Sequence, residues 1–194
     1  LGGSSLFLSP RDSQLGRGEP VEDTARVISR MVDAVILRTF THETVERFAA
    51  HSRVPVINAL TNLHHPCQLL GDLLTLHELR GDITQQRVAW VGDANNVCNS
   101  YIQAAVRYGF KLHIASPPAY APSPALLAQG GTHVQLTDDP RVAVANANLV
   151  VTDVWVSMGD EAEAEARQCS LQPYQVNAAL MQQAAPNALF MHCL

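Results

Sequence analysis

Short apolar runs alternating with amphipathic stretches constrain this chain more than any other feature. Ala34–Leu37, Val54–Ile57, Val88–Val91, Leu112–Ala115, Leu149–Thr152 and Ala188–Met191 read as buried parallel strands. Between them, Val21, Ala25, Ile28 and Val32 recur at helical spacing over Val21–Val32, with Arg26, Ser29 and Arg30 on the other face. Thr41 is placed to cap a second helix, with Glu43 favouring its dipole. His65–Arg80 is Leu-rich and stops at Gly81, and Asn96–Tyr108 stops at Gly109 in the same way. Pro122–Gln129, Pro140–Ala147 and Pro173–Ala184 complete the helices, and Ser116–Pro124 reads as a surface loop. Strand–helix alternation of this kind predicts an α/β fold with two Rossmann-like parallel-sheet domains. The polar break Gly81–Gln86 places the boundary, giving domains 1–80 and 81–194 with a cleft between them at strand C-terminal ends.

The remaining composition narrows the classes. A 47% hydrophobic, 16% charged chain of 194 residues argues for a globular protein and against disorder. A formal charge of −5 argues against nucleic acid and anionic membranes as partners. No apolar run exceeds four residues, so neither a transmembrane span nor a signal-peptide core is read here. Cys67, Cys98, Cys169 and Cys193 lie far apart, which points away from zinc and disulfide frameworks and towards a reducing cytoplasm. Lys111 is the only Lys, which leaves little room for a catalytic lysine. The strand-like phrase Gly3–Leu8 at one end and the run before Leu194 at the other predict that the chain is part of a longer protein.

Five groups of residues at predicted strand ends carry candidate chemistry. In His64-His65-Pro66-Cys67-Gln68, Pro66 suits the first helical position. His65 then lies at the positive helix end, able to donate N–H to a carbonyl, and Gln68 offers an amide to an amide-like ligand. A helix cap with a structural His is the simpler reading of that pattern. Asp153-Val154-Trp155-Val156-Ser157-Met158-Gly159 follows a strand, so Asp153 suits an ammonium group and Ser157 a further hydrogen bond. An ordinary turn explains the same residues, although Trp155 and Met158 are unusual in one. Gly92-Asp93-Ala94-Asn95-Asn96 lacks the GxGxxG of a dinucleotide site, but its N–H groups and an Asn side chain fit a carboxylate. Arg38 at a strand end is either an oxyanion or phosphate clamp or a surface ion pair. Cys193 is either ligand-facing or a buried, inert thiol.

Taken together, these motifs resemble the transcarbamylases, and the ornithine carbamoyltransferases in particular. His65-Pro66-Cys67-Gln68 is similar to the family's His-Pro-x-Gln, and Asp153 to Gly159 to the ornithine-type Asp-x-x-x-Ser-Met-Gly. His192-Cys193-Leu194 resembles the opening of His-Cys-Leu-Pro, and Gln14–Glu19 and Asp23–Arg26 also fit. The resemblance implies that Arg38, His65 and Gln68, with Pro66 and Cys67 beside them, bind carbamoyl phosphate. Gln14 helps at the phosphate, from its own or a neighbouring subunit. It implies that Asn96, Asp153, Ser157 and Met158 bind L-ornithine, and that Cys193 and Leu194 contact both substrates. His65, Arg38 and Cys193 are the residues it places nearest the chemistry, with neither metal nor cofactor. It further implies a cytoplasmic homotrimer or higher homo-oligomer. The family's Ser-Thr-Arg-Thr-Arg loop, the Pro of His-Cys-Leu-Pro, a later Arg and a C-terminal helix do not occur in the sequence, so the polypeptide alone is expected to be inactive or very weak. Carbamoyltransferases for aspartate, putrescine or acetylornithine, a non-catalytic binding module and a nucleotide-binding Rossmann protein are the alternatives.

Overall fold

The structure is a computed structural model and describes residues 2–9, 16, 18–156 and 161–193. It divides into two compact units, residues 1–62 and 63–194.

The first unit contains α1 (Val21–Ile28), β1 (Val35–Arg38), α2 (His42–His51) and β2 (Val56–Leu60). The two strands run parallel, with Val35 opposite Val56 and a register shift that brings Arg38 opposite Leu60. Helix α1 packs on α2 around Ala25, Val45 and Phe48, and Arg47 grips Glu22 through two hydrogen bonds of 2.7 and 3.0 Å. That grip holds the Glu22 carboxyl down to about 2. Three expectations are corrected here. Helix α1 ends at Ile28, not Val32, because the N–H groups of Arg30 and Met31 bond three residues back and tighten the last turn. Thr41 occupies the N-cap of α2, but its side chain accepts no hydrogen bond there. Gly3–Leu8 is not a strand: Leu6 and Phe7 are exposed, and β1 and β2 pair only with each other among the described residues.

The second unit begins with α3 (Pro66–Arg80). It continues through β3 (Arg87–Val91), α4 (Asn96–Tyr108), β4 (Lys111–Ala115), α5 (Pro124–Gly130), β5 (Val134–Thr137) and α6 (Pro140–Val144). It finishes with β6 (Leu149–Thr152), α7 (Ala164–Leu171), α8 (Ala178–Met181) and β7 (Leu189–His192). All five strands are parallel, in the order β5-β4-β3-β6-β7. Both faces are covered, which is why β3 and β6 are apolar almost throughout. Leu73, Leu76, Trp90, Tyr101, Leu112 and Leu149 share one core. Ala89, Val91, Val144, Val150, Tyr174 and Leu180 share the other. Trp90 packs on Tyr101 at 5.9 Å between ring centroids, a pair worth roughly 1 kcal/mol beyond its buried area.

Packing groups α3 with α4 in this unit, so the compact units part at 62/63, whereas the sequence reading parts the chain at 80/81. Strand β5 and helix α7 add to the elements that the sequence pattern predicts. The helix expected over Pro173–Ala184 is a single turn at Gln172–Tyr174 followed by the short α8, whose start Asn177 caps by accepting from Leu180 N–H. The chain leaves β3 towards β4 and β5 and returns on the opposite side as β6 and β7. The direction of winding therefore reverses between β3 and β6, the place where open parallel sheets gather ligands.

Candidate functional site

The carboxyl ends of β3 and β6 lie side by side, because Val88, Ala89 and Trp90 pair with Leu149, Val150 and Val151. Thr152 Oγ1 donates to Val91 O at 2.7 Å and closes the pair. Gly92 then turns the chain with φ of 125°, a region that disfavours side chains. Asn95 caps α4, its Oδ1 accepting from Val97 N–H at 3.0 Å and Cys98 N–H at 3.3 Å. Of the N–H groups expected to hold a carboxylate here, those of Val97 and Cys98, the second and third residues of α4, are taken by Asn95. The other end of the Asn95 amide donates to Asp153 Oδ2 at 2.6 Å.

Asp153 is 9% exposed. It also accepts from Val154 N–H at 2.6 Å and from the Cys193 thiol. Three donors from three segments fix this carboxylate at the switch point. Burial, followed by the hydrogen bond to Asp153, pushes the Cys193 thiol up to about 12. At neutral pH Cys193 is therefore a protonated donor, not a thiolate nucleophile.

Pro66 is the first residue of α3 and His65 its N-cap. His65 Nδ1 accepts from Gln68 N–H at 3.4 Å, which puts the proton of a neutral ring on Nε2. His65 N–H donates to Ser100 Oγ at 2.8 Å, and Ser100 Oγ donates to Asn96 O at 2.8 Å. One path of hydrogen bonds and backbone thus runs from His65 through Ser100, Asn96 and Asn95 to Asp153. Gln68 Nε2 donates to Asp72 Oδ1 at 2.8 Å, and Tyr101 Oη donates to Asp72 Oδ2 at 2.9 Å. Burial raises the Asp72 carboxyl above its ordinary value against both hydrogen bonds. Cys67 is exposed, and the buried Cys98 thiol is pushed well up by burial and then by Asp93.

The structure thus brings His65, Gln68, Asn96, Asp153 and Cys193 into one connected set in the second unit. Arg38 lies in the first unit, exposed at the carboxyl end of β1. Gln14, Ser157, Met158 and Leu194 lie outside the described residues. Among the described residues, no group of three His, Cys, Asp or Glu is placed to hold a metal ion, and no helix is long and apolar enough to cross a membrane.

Sequence reasoning missed two residues here, Asp72 and Arg167. Arg167, on α7, is 7% exposed. It donates from Nε to Trp155 O at 2.8 Å, pairs with Asp93, and lies 4.7 Å over the Tyr120 ring. It therefore ties the segment after Asp153 to the turn after β3. Asp72 could have been found from its spacing, four residues after Gln68 on one helix. No local signal marks Arg167, whose partner Asp93 is 74 residues away.

A parallel sheet whose switch point holds a fixed carboxylate and oriented amides, joined by hydrogen bonds to an imidazole, defines an α/β protein with a polar site at its switch point. Residues 1–78 match the family model described as aspartate/ornithine carbamoyltransferase, carbamoyl-P binding domain, and residues 84–194 match its Asp/Orn binding domain. The chain belongs to the aspartate/ornithine carbamoyltransferase family. It is 61% identical over 194 residues to the ornithine carbamoyltransferase of Halorhodospira halophila, covering all of this chain and 65% of that protein. Against the anabolic ornithine carbamoyltransferase of Pseudomonas aeruginosa the identity is 58%, over all of this chain and 64% of the relative. The solved ornithine carbamoyltransferase of Pyrococcus furiosus superposes with a TM-score of 0.93 at 43% identity, covering 100% of this chain and 64% of that one. The chain thus spans about two thirds of the length of these relatives, a little less in each case.

Proposed function

We propose that the protein transfers the carbamoyl group of carbamoyl phosphate to the δ-amine of L-ornithine, giving L-citrulline and phosphate, in arginine metabolism. The observation that carries this reading is the bonded path from His65 to Asp153. It joins the segment similar to the carbamoyl-phosphate motif to the segment similar to the ornithine motif within one rigid set of partners.

In this reading residues 1–80 form the carbamoyl-phosphate domain and residues 81–194 the ornithine domain. Arg38, His65 and Gln68, flanked by Pro66 and Cys67, bind carbamoyl phosphate, with Gln14 at the phosphate. Asn96, Asp153, Ser157 and Met158 bind ornithine, and Cys193 and Leu194 contact both substrates. The δ-ammonium gives a proton to solvent, the amine attacks the carbamoyl carbon, a tetrahedral oxyanion forms, and its collapse breaks the C–O bond to phosphate, which leaves with a second proton from the attacking nitrogen. His65 Nε2–H suits the oxyanion, and Arg38 suits the carbonyl and phosphate oxygens. A preorganised donor of this kind supplies about 3 kcal/mol. The raised Cys193 thiol favours direct transfer over a covalent enzyme intermediate. The setting proposed is a cytoplasmic homotrimer or higher homo-oligomer.

Isothermal titration tests the acceptor. With carbamoyl phosphate present, norvaline, which is ornithine without the side-chain amine, binds and succinate does not. Binding of succinate alone replaces this reading by an aspartate carbamoyltransferase.

A further inference from the structure

We infer that Asp72 is a positioning residue that fixes which end of the Gln68 amide the site offers to a ligand. An amide can present either an NH2 donor or a carbonyl acceptor, and rotation by half a turn exchanges them. Here one end is committed. Gln68 Nε2 donates to Asp72 Oδ1 at 2.8 Å, one helical turn along α3. An ionised carboxylate only accepts, so the NH2 end must face it. The carboxylate cannot turn away, because the fully buried Tyr101 donates to its other oxygen at 2.9 Å. Gln68 N–H is itself held by His65 Nδ1, so the start of the side chain is fixed as well. Gln68 Oε1 is then what remains to face a ligand, and among the described residues no protein donor is recorded on it.

The chemical consequence is selection of an acyl group that carries N–H. Resting on the proposed function, the acyl donor is carbamoyl phosphate, whose NH2 bonds Oε1. Acetyl phosphate has the same shape with a methyl group in that place, and it leaves the acceptor unsatisfied. Sites built to bond an N–H discriminate strongly against analogues that lack it.

The substitution Asp72→Asn keeps size and shape while reversing the logic. The new amide keeps its oxygen towards Tyr101 Oη and turns its NH2 to Gln68. Gln68 then rotates, and a donor faces the ligand NH2. Titration calorimetry on the whole chain is expected to show D72N weakening carbamoyl phosphate by about 10- to 100-fold. Acetyl phosphate is expected to change little. The double variant D72N/Q68E restores an outward acceptor and the internal bond together, and recovers most of the lost affinity. A merely structural role would lower both ligands equally and would not be rescued by the exchange. Equal loss of both, no loss with D72N, or no recovery in the double variant overturns the inference.

A ligand-free measurement separates this inference from the function it rests on. The scalar coupling across the hydrogen bond, between the Gln68 side-chain nitrogen and the Asp72 carboxyl carbon, is expected in the NMR spectrum of the unliganded chain. Its absence overturns the inference. Its presence in a chain that binds no carbamoyl phosphate supports the orientation and counts against the proposed function.

Discussion

Replacing Arg167 by Ala removes the cation that joins α7 to the turn after β3, and the cost follows from its surroundings. The side chains of Arg167 and Asp93 are 8% and 12% exposed. The pair therefore belongs with buried ion pairs, where deleting one partner costs about 3–5 kcal/mol because the other charge stays in the interior. The guanidinium also donates to Trp155 O at 2.8 Å and stacks on Tyr120 at 4.7 Å. Alone these are worth about 1.5–3 and 0.5–2 kcal/mol, but they share one side chain and do not add. The expected total is about 4 kcal/mol. Both tryptophans, Trp90 and Trp155, lie in the 63–194 unit. Urea unfolding followed by tryptophan fluorescence therefore reports that unit alone. The cycle of Asp93→Asn and Arg167→Met should show the double variant costing less than the sum of the singles, by about 2 kcal/mol. A cost for R167A below about 1 kcal/mol, the range of exposed pairs, refutes the reasoning, as does a coupling of zero.

Cys193, its thiol pushed up to about 12 by burial and the hydrogen bond to Asp153, stays protonated at pH 8. Mass spectrometry should show iodoacetamide modifying the exposed Cys67 and Cys169 well before Cys193, with Asp153→Asn speeding the modification of Cys193. Asp72, raised by burial, binds its proton more tightly in the folded state, so its contribution to stability is complete below the ordinary value of 3.8 and is lost as pH rises through the raised value. D72N should therefore gain stability relative to the parent between pH 4 and pH 7 in urea titrations; a difference that stays constant or reverses contradicts the assignment. A Cβ at Gly130 falls 2.5 Å from Val134 Cγ2 and 2.6 Å from Val134 Cβ, so Gly130→Ala should cost about 1–3 kcal/mol by the same fluorescence assay. An unchanged midpoint would show that the α5–β5 turn relaxes freely.

The sequence is most legible where burial and capping act locally. Strand β6 and helix α4 have the expected limits, because a run of three apolar residues closed by Thr152 and an Asn-to-Gly span leave few alternatives. Pro66 placed the start of α3 for the same reason. Strand β5 was not read because Gln135 and Thr137 dilute a short edge strand to two apolar residues. Helix α7 was not read because its apolar face is weak; Leu171 and the stem of Arg167 are what it buries. The polar site was visible residue by residue at strand ends, but its wiring was not. That His65 reaches Asp153 through Ser100 and Asn95 depends on the start of α4 meeting both the residue after β6 and the start of α3, and no sequence pattern prints that adjacency. Gly3–Leu8 shows the converse: its apolar residues Leu6, Phe7 and Leu8 form no strand, and among the described residues no strand pairs with them.

The reaction itself is the most direct test. Protein carrying this chain joined to the remaining third of its relatives' length, with the Ser-Thr-Arg-Thr-Arg loop and C-terminal helix, is given radiolabelled carbamoyl phosphate together with ornithine and aspartate in equal amounts, and the products are separated by chromatography. Label is expected in citrulline and none in carbamoyl-aspartate, with His65→Ala and Asp153→Asn each lowering the rate by at least about 100-fold. Label in carbamoyl-aspartate, or citrulline formed at an undiminished rate by either variant, contradicts the proposed function.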